Sequence, residues 1–102
     1  MIIFNTTFHL EDEIHDEGLA FLRQTYIPSA AGSGFLLQPR LARIHRQHEE
    51  GGVSYSLQFH VKNVDVLNHW LTTDGHALQQ QLAQRFGNKM LGFVTVLEEI
   101  SL

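Results

Sequence analysis

The sequence predicts an α+β fold whose elements follow the order β-α-β-β-α-β. Stretches rich in β-branched and aromatic residues lie near both ends and in the middle of the chain. Two stretches with helical apolar spacing separate them. The sequence has 102 residues, the usual size of one domain, and no linker or repeat divides it. We therefore expect one domain over residues 1–102.

The first strand and the first helix are predicted before residue 28. Residues 2–8 alternate in the manner of a strand. Asp12 can cap a helix whose first turns carry acidic residues, which favour a helix N-terminus. Pro28 cannot donate a helical hydrogen bond. We therefore expect the helix to end near Tyr26.

Residues 40–61 predict a hairpin with its turn at residues 49–52, where Gly51 and Gly52 tolerate a positive φ. A loop of two or four residues gives the same faces, since both numbers are even. The apolar face then holds Ala42, Ile44, Val53, Tyr55, Leu57, Phe59 and Val61. The polar face holds Arg43, His45, Gln47, Ser54, Ser56, Gln58 and His60. We expect the helices to cover the apolar face.

A second helix is predicted after Asn63, with an interruption at Asp74 and Gly75, and a last strand at residues 91–97. The complete order is that of a ferredoxin-like fold, in which a four-stranded antiparallel sheet carries two helices on one face.

The uncovered sheet face predicts a partner surface. Its expected residues are polar at the centre, with an apolar margin: Asn5, Thr7, Arg43, His45, Ser56, Gln58 and His60, flanked by Ile3, Leu41 and Phe93 or Leu97. Two such faces across a partly hydrated cavity would form a homodimer, a dimeric α+β barrel. The alternative is a monomer whose polar side chains face water.

Composition and charge exclude several classes. The net charge is -4 without a cluster of Lys and Arg, so we expect no nucleic-acid partner. No apolar run is long enough to span a bilayer, and no signal peptide is evident, so we expect no membrane association. The absence of cysteine suits a cytoplasmic location. The sequence contains seven histidines, but no carboxylate accompanies His45 and His60 on the predicted face. We predict no metal site and no cofactor.

Four segments resemble a small bacterial family of domains of unknown function. They read MIIFNTTFH at residues 1–9, TYIP at 25–28, GGVSYSLQF at 51–59 and LGFVT at 91–95. The resemblance covers essentially the whole chain. It implies the fold and the length, and it implies no catalytic residue.

A more distant resemblance concerns the antibiotic-biosynthesis monooxygenase type of dimeric α+β barrel. The segment HWLTTD at residues 69–74 is similar to the second-helix segment of heme-degrading members. Those members use an Asn, a Trp and an iron-binding His, and Asn5 and Trp70 match the first two. The His position falls on Gln80, and His76 lies about one turn earlier. The resemblance therefore implies a missing or displaced iron ligand.

Three functional hypotheses follow from the sequence. The first is a homodimer that binds a small organic ligand between its sheets, with these candidates: Asn5, Arg43, His45, Gln58, His60 and Trp70. Arg43 can bind a carboxylate or carbonyl, or pair with a partner subunit, Glu98 or Glu99, and Trp70 can equally be a packing residue. The second hypothesis is a monooxygenase-like enzyme, cofactor-independent or heme-linked, that uses Asn5, Trp70 and His76. The third is a structural interaction module without a ligand. Whether the protein is an enzyme stays open.

Overall fold

The computed structural model describes residues 1–45 and 51–102. The strands are β1 (Ile2–Leu10), β2 (Leu37–Arg43), β3 (Val53–Val61) and β4 (Met90–Glu98). The helices are α1 (His15–Phe21), α2 (Ile27–Gly32), α3 (Val64–Thr72) and α4 (Asp74–Phe86). A π-helix, Leu22–Tyr26, joins α1 to α2, and single 3-10 turns cover Asp12–Ile14 and Gly87–Lys89.

The strands form one antiparallel sheet in the order β2-β3-β1-β4. The strands that are first and last in the chain are neighbours in the sheet, and β2 and β4 are its edges. This arrangement confirms the predicted α+β, ferredoxin-like class. The interruption of the second helix is also confirmed, because α3 ends at Thr72 and α4 begins at Asp74.

The core lies between the sheet and the helices. Phe4 pairs with Phe59 across β1 and β3, both side chains are buried, and Phe4 meets the Trp70 ring of α3 edge-on. At the other end of the sheet, Tyr55 Oη lies 2.7 Å from His15 Nε2 at the start of α1. The prediction that Tyr55 and Phe59 face the helices is therefore confirmed.

The predicted register of β2 is wrong. Arg43 pairs with Tyr55, and Leu41 with Leu57, so Arg43 lies on the helix side of the sheet edge. His45 lies beyond the end of β2 and is exposed. The prediction assumed an even connection, whereas an odd number of residues, 44–54, separates Arg43 from Tyr55. Because side chains alternate along a strand, this difference reverses every face assignment in β2.

The turn predicted at residues 49–52 lies partly outside the described residues, and Gln47 lies outside them. Gly51 and Gly52 have φ values of 67° and 90°. Both glycines therefore adopt the positive φ that the hairpin prediction required of them.

The first helical region continues beyond the predicted end at Tyr26, to Gly32. In the π-helix before α2, the N–H of Ile27 donates to the carbonyl of Leu22, five residues earlier. Pro28 then lies in the first turn of α2, where its missing N–H is tolerated. The wider turn lets the chain pass the proline without a break.

Candidate ligand-binding surfaces

The side of the sheet away from the helices, called the open face here, is polar along its centre. Strand pairing places the following residues on it: Ile3, Asn5, Thr7 and His9 of β1; Ser54, Ser56, Gln58 and His60 of β3; Leu91, Phe93, Thr95 and Leu97 of β4; and Arg40 and Ala42 of β2. The central strands β1 and β3 thus carry the polar groups, and β4 carries large apolar ones.

Hydrogen bonds link the polar residues at the centre of the open face. The hydroxyl of Ser56 donates to Asn5 Oδ1 at 2.5 Å, and Asn5 Nδ2 donates to Thr7 Oγ1 at 3.3 Å. Asn5 is only 9% exposed, and the two hydrogen bonds hold its amide in one orientation. Gln58 lies directly opposite Asn5 in the ladder. Two amide side chains are therefore adjacent on the two central strands.

Histidines flank this amide pair on both sides. His60 Nε2 lies 2.9 Å from a carboxylate oxygen of Glu99, and His9 Nδ1 lies 2.9 Å from the hydroxyl of Ser54. Within residues 1–45 and 51–102, no three His, Cys, Asp or Glu side chains are grouped so as to hold a metal ion.

The apolar margin of the open face is highly exposed. Leu91, Phe93 and Leu97 of β4 are 46%, 60% and 41% exposed. Val94 and Val96 are also exposed, although they point to the opposite side of the strand. Both sides of this edge strand therefore present apolar surface.

Only some of the predicted ligand-binding residues share a surface. Asn5, Gln58 and His60 lie together on the open face. Arg43 and His45 do not join them, because β2 has the reversed register described above. Arg40 lies beside Gln58 instead, after a register irregularity between Leu37 and Arg40. Pro39, within this strand, was the sequence signal for that irregularity.

Trp70 lies on the other side of the sheet, in a cleft of about 300 Å³ between the helices and the strands β1 and β4. We call it the helix-side cleft. Its lining consists of Phe4, Thr6, Tyr26, Trp70, Leu71, Gly75, His76, Gln79, Gly92 and Val94. Burial raises the pKa of the Tyr26 hydroxyl to about 12. The sequence patterns gave no sign that Tyr26, Thr6 and Gln79 meet here.

The helix-side cleft does not reproduce the residue set of heme-degrading barrels. Asn5 is on the open face, hydrogen-bonded to Ser56, and the sheet separates it from Trp70. Gln80, at the position of the iron ligand, does not line the cleft, although His76 does. The side chains present therefore do not fit the heme arrangement.

Solved structures with the same fold have low sequence identity to this chain. An ethyl tert-butyl ether d (EthD) family protein from Bacillus halodurans matches with a TM-score of 0.72 and 17% identity, over 98% of this chain and 100% of that chain. A structure named antibiotic biosynthesis monooxygenase matches with a TM-score of 0.72 and 14% identity, over 99% and 100%. A dimeric ferredoxin-like protein from an uncultured marine organism matches with a TM-score of 0.59 and 9% identity, over 100% and 97%. These matches show the fold.

At the level of sequence, residues 1–100 match the profile of DUF4286, described as a domain of unknown function. A search of the curated proteins finds no match. Among the described residues, no helix is both long and apolar enough to cross a membrane.

Proposed function

The chain belongs to the DUF4286 family of domains of unknown function, and we propose that it is a homodimeric protein that binds a small organic ligand between two opposed sheets. The observation that carries the proposal is the distribution of residues on the open face. Polar groups lie on the central strands, and exposed apolar groups lie on the edge strand β4. Interfaces that hold a ligand commonly combine an apolar seal with a few polar groups.

The apolar margin supports the dimer. On the open face, Phe93 lies near the middle of β4, with Leu91 and Leu97 on either side of it. Contiguous apolar surface of this kind marks interaction sites in proteins. A second copy placed face to face would remove these side chains from water on both chains.

The polar centre supports the ligand. The amides of Asn5 and Gln58 each offer a donor and an acceptor, and His60 adds an imidazole beside Glu99. Between two opposed sheets these groups would be duplicated by symmetry. They suit a small molecule with several polar atoms.

Light scattering tests the dimer. We expect the purified protein to have twice the chain mass of 11.6 kDa at micromolar concentration. The variant Phe93→Glu should be a monomer, because it would bury two charges in the interface. Gln80→Glu adds the same charge on an exposed helical position and should leave the dimer intact. A wild-type monomer would contradict the proposal.

A crystal structure of the dimer tests the ligand. We expect a cavity bordered by Asn5, Gln58 and His60 of both copies. An interface filled completely by side chains would instead support the third hypothesis, a structural module without a ligand. The hydrogen bonds that Asn5 makes with Ser56 and Thr7 would then serve only to fix the sheet.

A monooxygenase-like enzyme is the second candidate. It is supported by Trp70 and His76, which line one cleft, and by the fold shared with a structure named antibiotic biosynthesis monooxygenase. A cofactor-independent reaction would position a self-reactive substrate in an apolar pocket beside a few polar groups. Oxygen uptake with quinol-type substrates would support this candidate. No uptake, together with no Soret shift on addition of hemin, would remove it.

A further inference from the structure

A row of polar side chains crosses all four strands of the open face. We call it the polar row, and strand pairing orders it from β2 to β4 as follows: Arg40, Gln58, Asn5 and Thr95. Neighbouring strands lie about 4.8 Å apart, so the distance from Arg40 to Asn5 across two strand spacings is about 10 Å. The polar row is therefore long enough for a small organic molecule that lies across the strands.

Several donor groups of the polar row are available to a ligand. Among the residues that the structure describes, the guanidinium of Arg40 and the side-chain amide of Gln58 have no hydrogen-bond or ion-pair partner. Asn5 accepts a hydrogen bond from Ser56 and donates one N–H to Thr7, which leaves its second N–H. Donors on three neighbouring strands thus point to the same face.

The polar row carries a positive charge without a counter-charge. Of the described residues that strand pairing places on the open face, only Arg40 has a side chain of fixed charge. The carboxylate of Glu99, just beyond β4, already lies 2.9 Å from His60 Nε2 of the same chain. Between two opposed sheets, the guanidinium of Arg40 would lose its hydration without gaining an ion pair, which is costly. A carboxylate ligand would supply the missing negative charge, and a guanidinium can bind it through two parallel hydrogen bonds.

Apolar side chains flank both ends of the polar row. On β4, Phe93 and Leu97 lie two residues before and after Thr95, on the same face, and both are exposed. On β2, Ala42 lies two residues after Arg40. A ligand along the row would therefore contact apolar surface beside its polar atoms. This distribution suits a molecule with an apolar body and a charged end.

We propose that the ligand between the sheets is an organic anion with an apolar body, whose carboxylate binds Arg40 and whose body lies along Gln58 and Asn5. This inference rests on the proposed function and deepens it by naming the charge of the ligand. It also links the ligand to assembly. A ligand that binds between two copies stabilises the dimer by mass action.

Two probes of the same shape test the charge. 2-Naphthoate carries a carboxylate, and 2-naphthamide replaces it with a neutral amide. Calorimetric titration of the purified protein measures both affinities. We expect 2-naphthoate to bind at least about tenfold more tightly, because hydrogen bonds between charged groups are stronger than neutral ones. Light scattering on diluted protein should show that 2-naphthoate shifts the equilibrium toward the dimer more than 2-naphthamide does.

Two variants and a matched control test the location. Arg40→Gln should bring the affinity for 2-naphthoate to within about twofold of that for 2-naphthamide. Arg40→Lys keeps the charge without the paired donors and should give an intermediate preference. Arg23→Gln removes the same charge at an exposed position of the π-helix and should bind like the wild type. Without a ligand, Arg40→Gln should dimerise at least as well as the wild type, because it removes a charge without a counter-charge.

The outcomes separate this inference from the proposed function. If 2-naphthamide binds as tightly as 2-naphthoate, or if Arg40→Gln keeps the preference for the carboxylate, the inference is wrong and the proposed dimer with a ligand stands. If Arg40→Gln weakens the dimer in the absence of a ligand, Arg40 pairs with a group of the second copy, and the inference is again wrong. A wild-type monomer, or a dimer that binds neither probe at millimolar concentration, would contradict the proposed function and the inference with it.

Discussion

Among the titratable residues that the structure describes, Tyr26 is the one whose pKa is changed most by burial. Its side chain is mostly buried, and no nearby cation stabilises a phenolate, so desolvation alone raises its pKa to about 12. Tyr55 is also buried, but its hydroxyl meets the imidazole of His15. The two tyrosines of the chain therefore have different environments.

The raised pKa of Tyr26 should make the stability of the protein depend on pH in the alkaline range. The folded state holds the Tyr26 proton more tightly than the unfolded state does. The stabilisation is therefore complete below about pH 10, the ordinary pKa of tyrosine, and is lost as the pH rises toward 12. We expect urea unfolding to show a loss on the order of 2 kcal/mol over this range. Tyr26→Phe should lose less, and equal losses in the two proteins would contradict the assignment.

Gly75, at the start of α4, packs closely against Trp70. A Cβ at this position would lie 2.6 Å from the Trp70 ring and 3.0 Å from the Trp70 carbonyl oxygen. The ring is buried and cannot move into solvent. The glycine is therefore needed for close approach rather than for an unusual φ.

We expect Gly75→Ala to lower the free energy of unfolding by about 1 to 3 kcal/mol, because the inserted methyl group overpacks the core. Gly32→Ala, at the end of α2, meets nothing within 4 Å and should have little effect or stabilise slightly. Thermal or urea unfolding of both variants measures the difference. Equal stabilities would show that the core accommodates the methyl group at Trp70.

At the level of elements, the sequence predicts which helices and strands form, and in what order, better than it predicts the register of strand pairing. The alternation of Tyr55, Leu57 and Phe59 identifies the buried side of β3, because three large apolar residues alternate with polar ones. β2 lacks such a pattern: its residues are mostly exposed, so no burial constrains the register. The register of β2 was decided by the length of the connection between β2 and β3. The sequence between Arg43 and Tyr55 carries no signal that distinguishes an odd loop from an even one.

The candidate site residues also fall into two groups, those whose positions the sequence predicts and those whose positions it does not. Asn5, Gln58 and His60 are brought together by the two central strands, whose pairing follows from the fold. Arg43 and His45 depend on β2, and their predicted placement is wrong for that reason. The helix-side cleft depends on the π-helix, which places Tyr26 in the same lining as Trp70 of α3. A proline in a helical pattern more often indicates a helix end, so the sequence did not predict this placement. Sequence periodicity contains no information on such a contact.

For the whole molecule, stability and assembly should be linked. The proposed dimerisation through the open face would stabilise the folded state by mass action, because the unfolded chain does not form the interface. We expect the thermal midpoint to rise with protein concentration. The monomeric Phe93→Glu variant should have a lower midpoint that does not depend on concentration. A wild-type midpoint that is constant over a hundredfold range of dilution would contradict assembly of this kind.

The edge strand β4 has one further consequence. Natural sheets protect their edges with lysine, proline, bulges or short strands, and the nine residues Met90–Glu98 contain no lysine or proline and pair with β1 in unbroken register. A lone chain would thus expose an apolar template for strand addition by other chains. Newly synthesised copies would be at risk of aggregation until the apolar side chains of β4 are covered, which the proposed dimer would do. Selection on this segment would then act on solubility during synthesis.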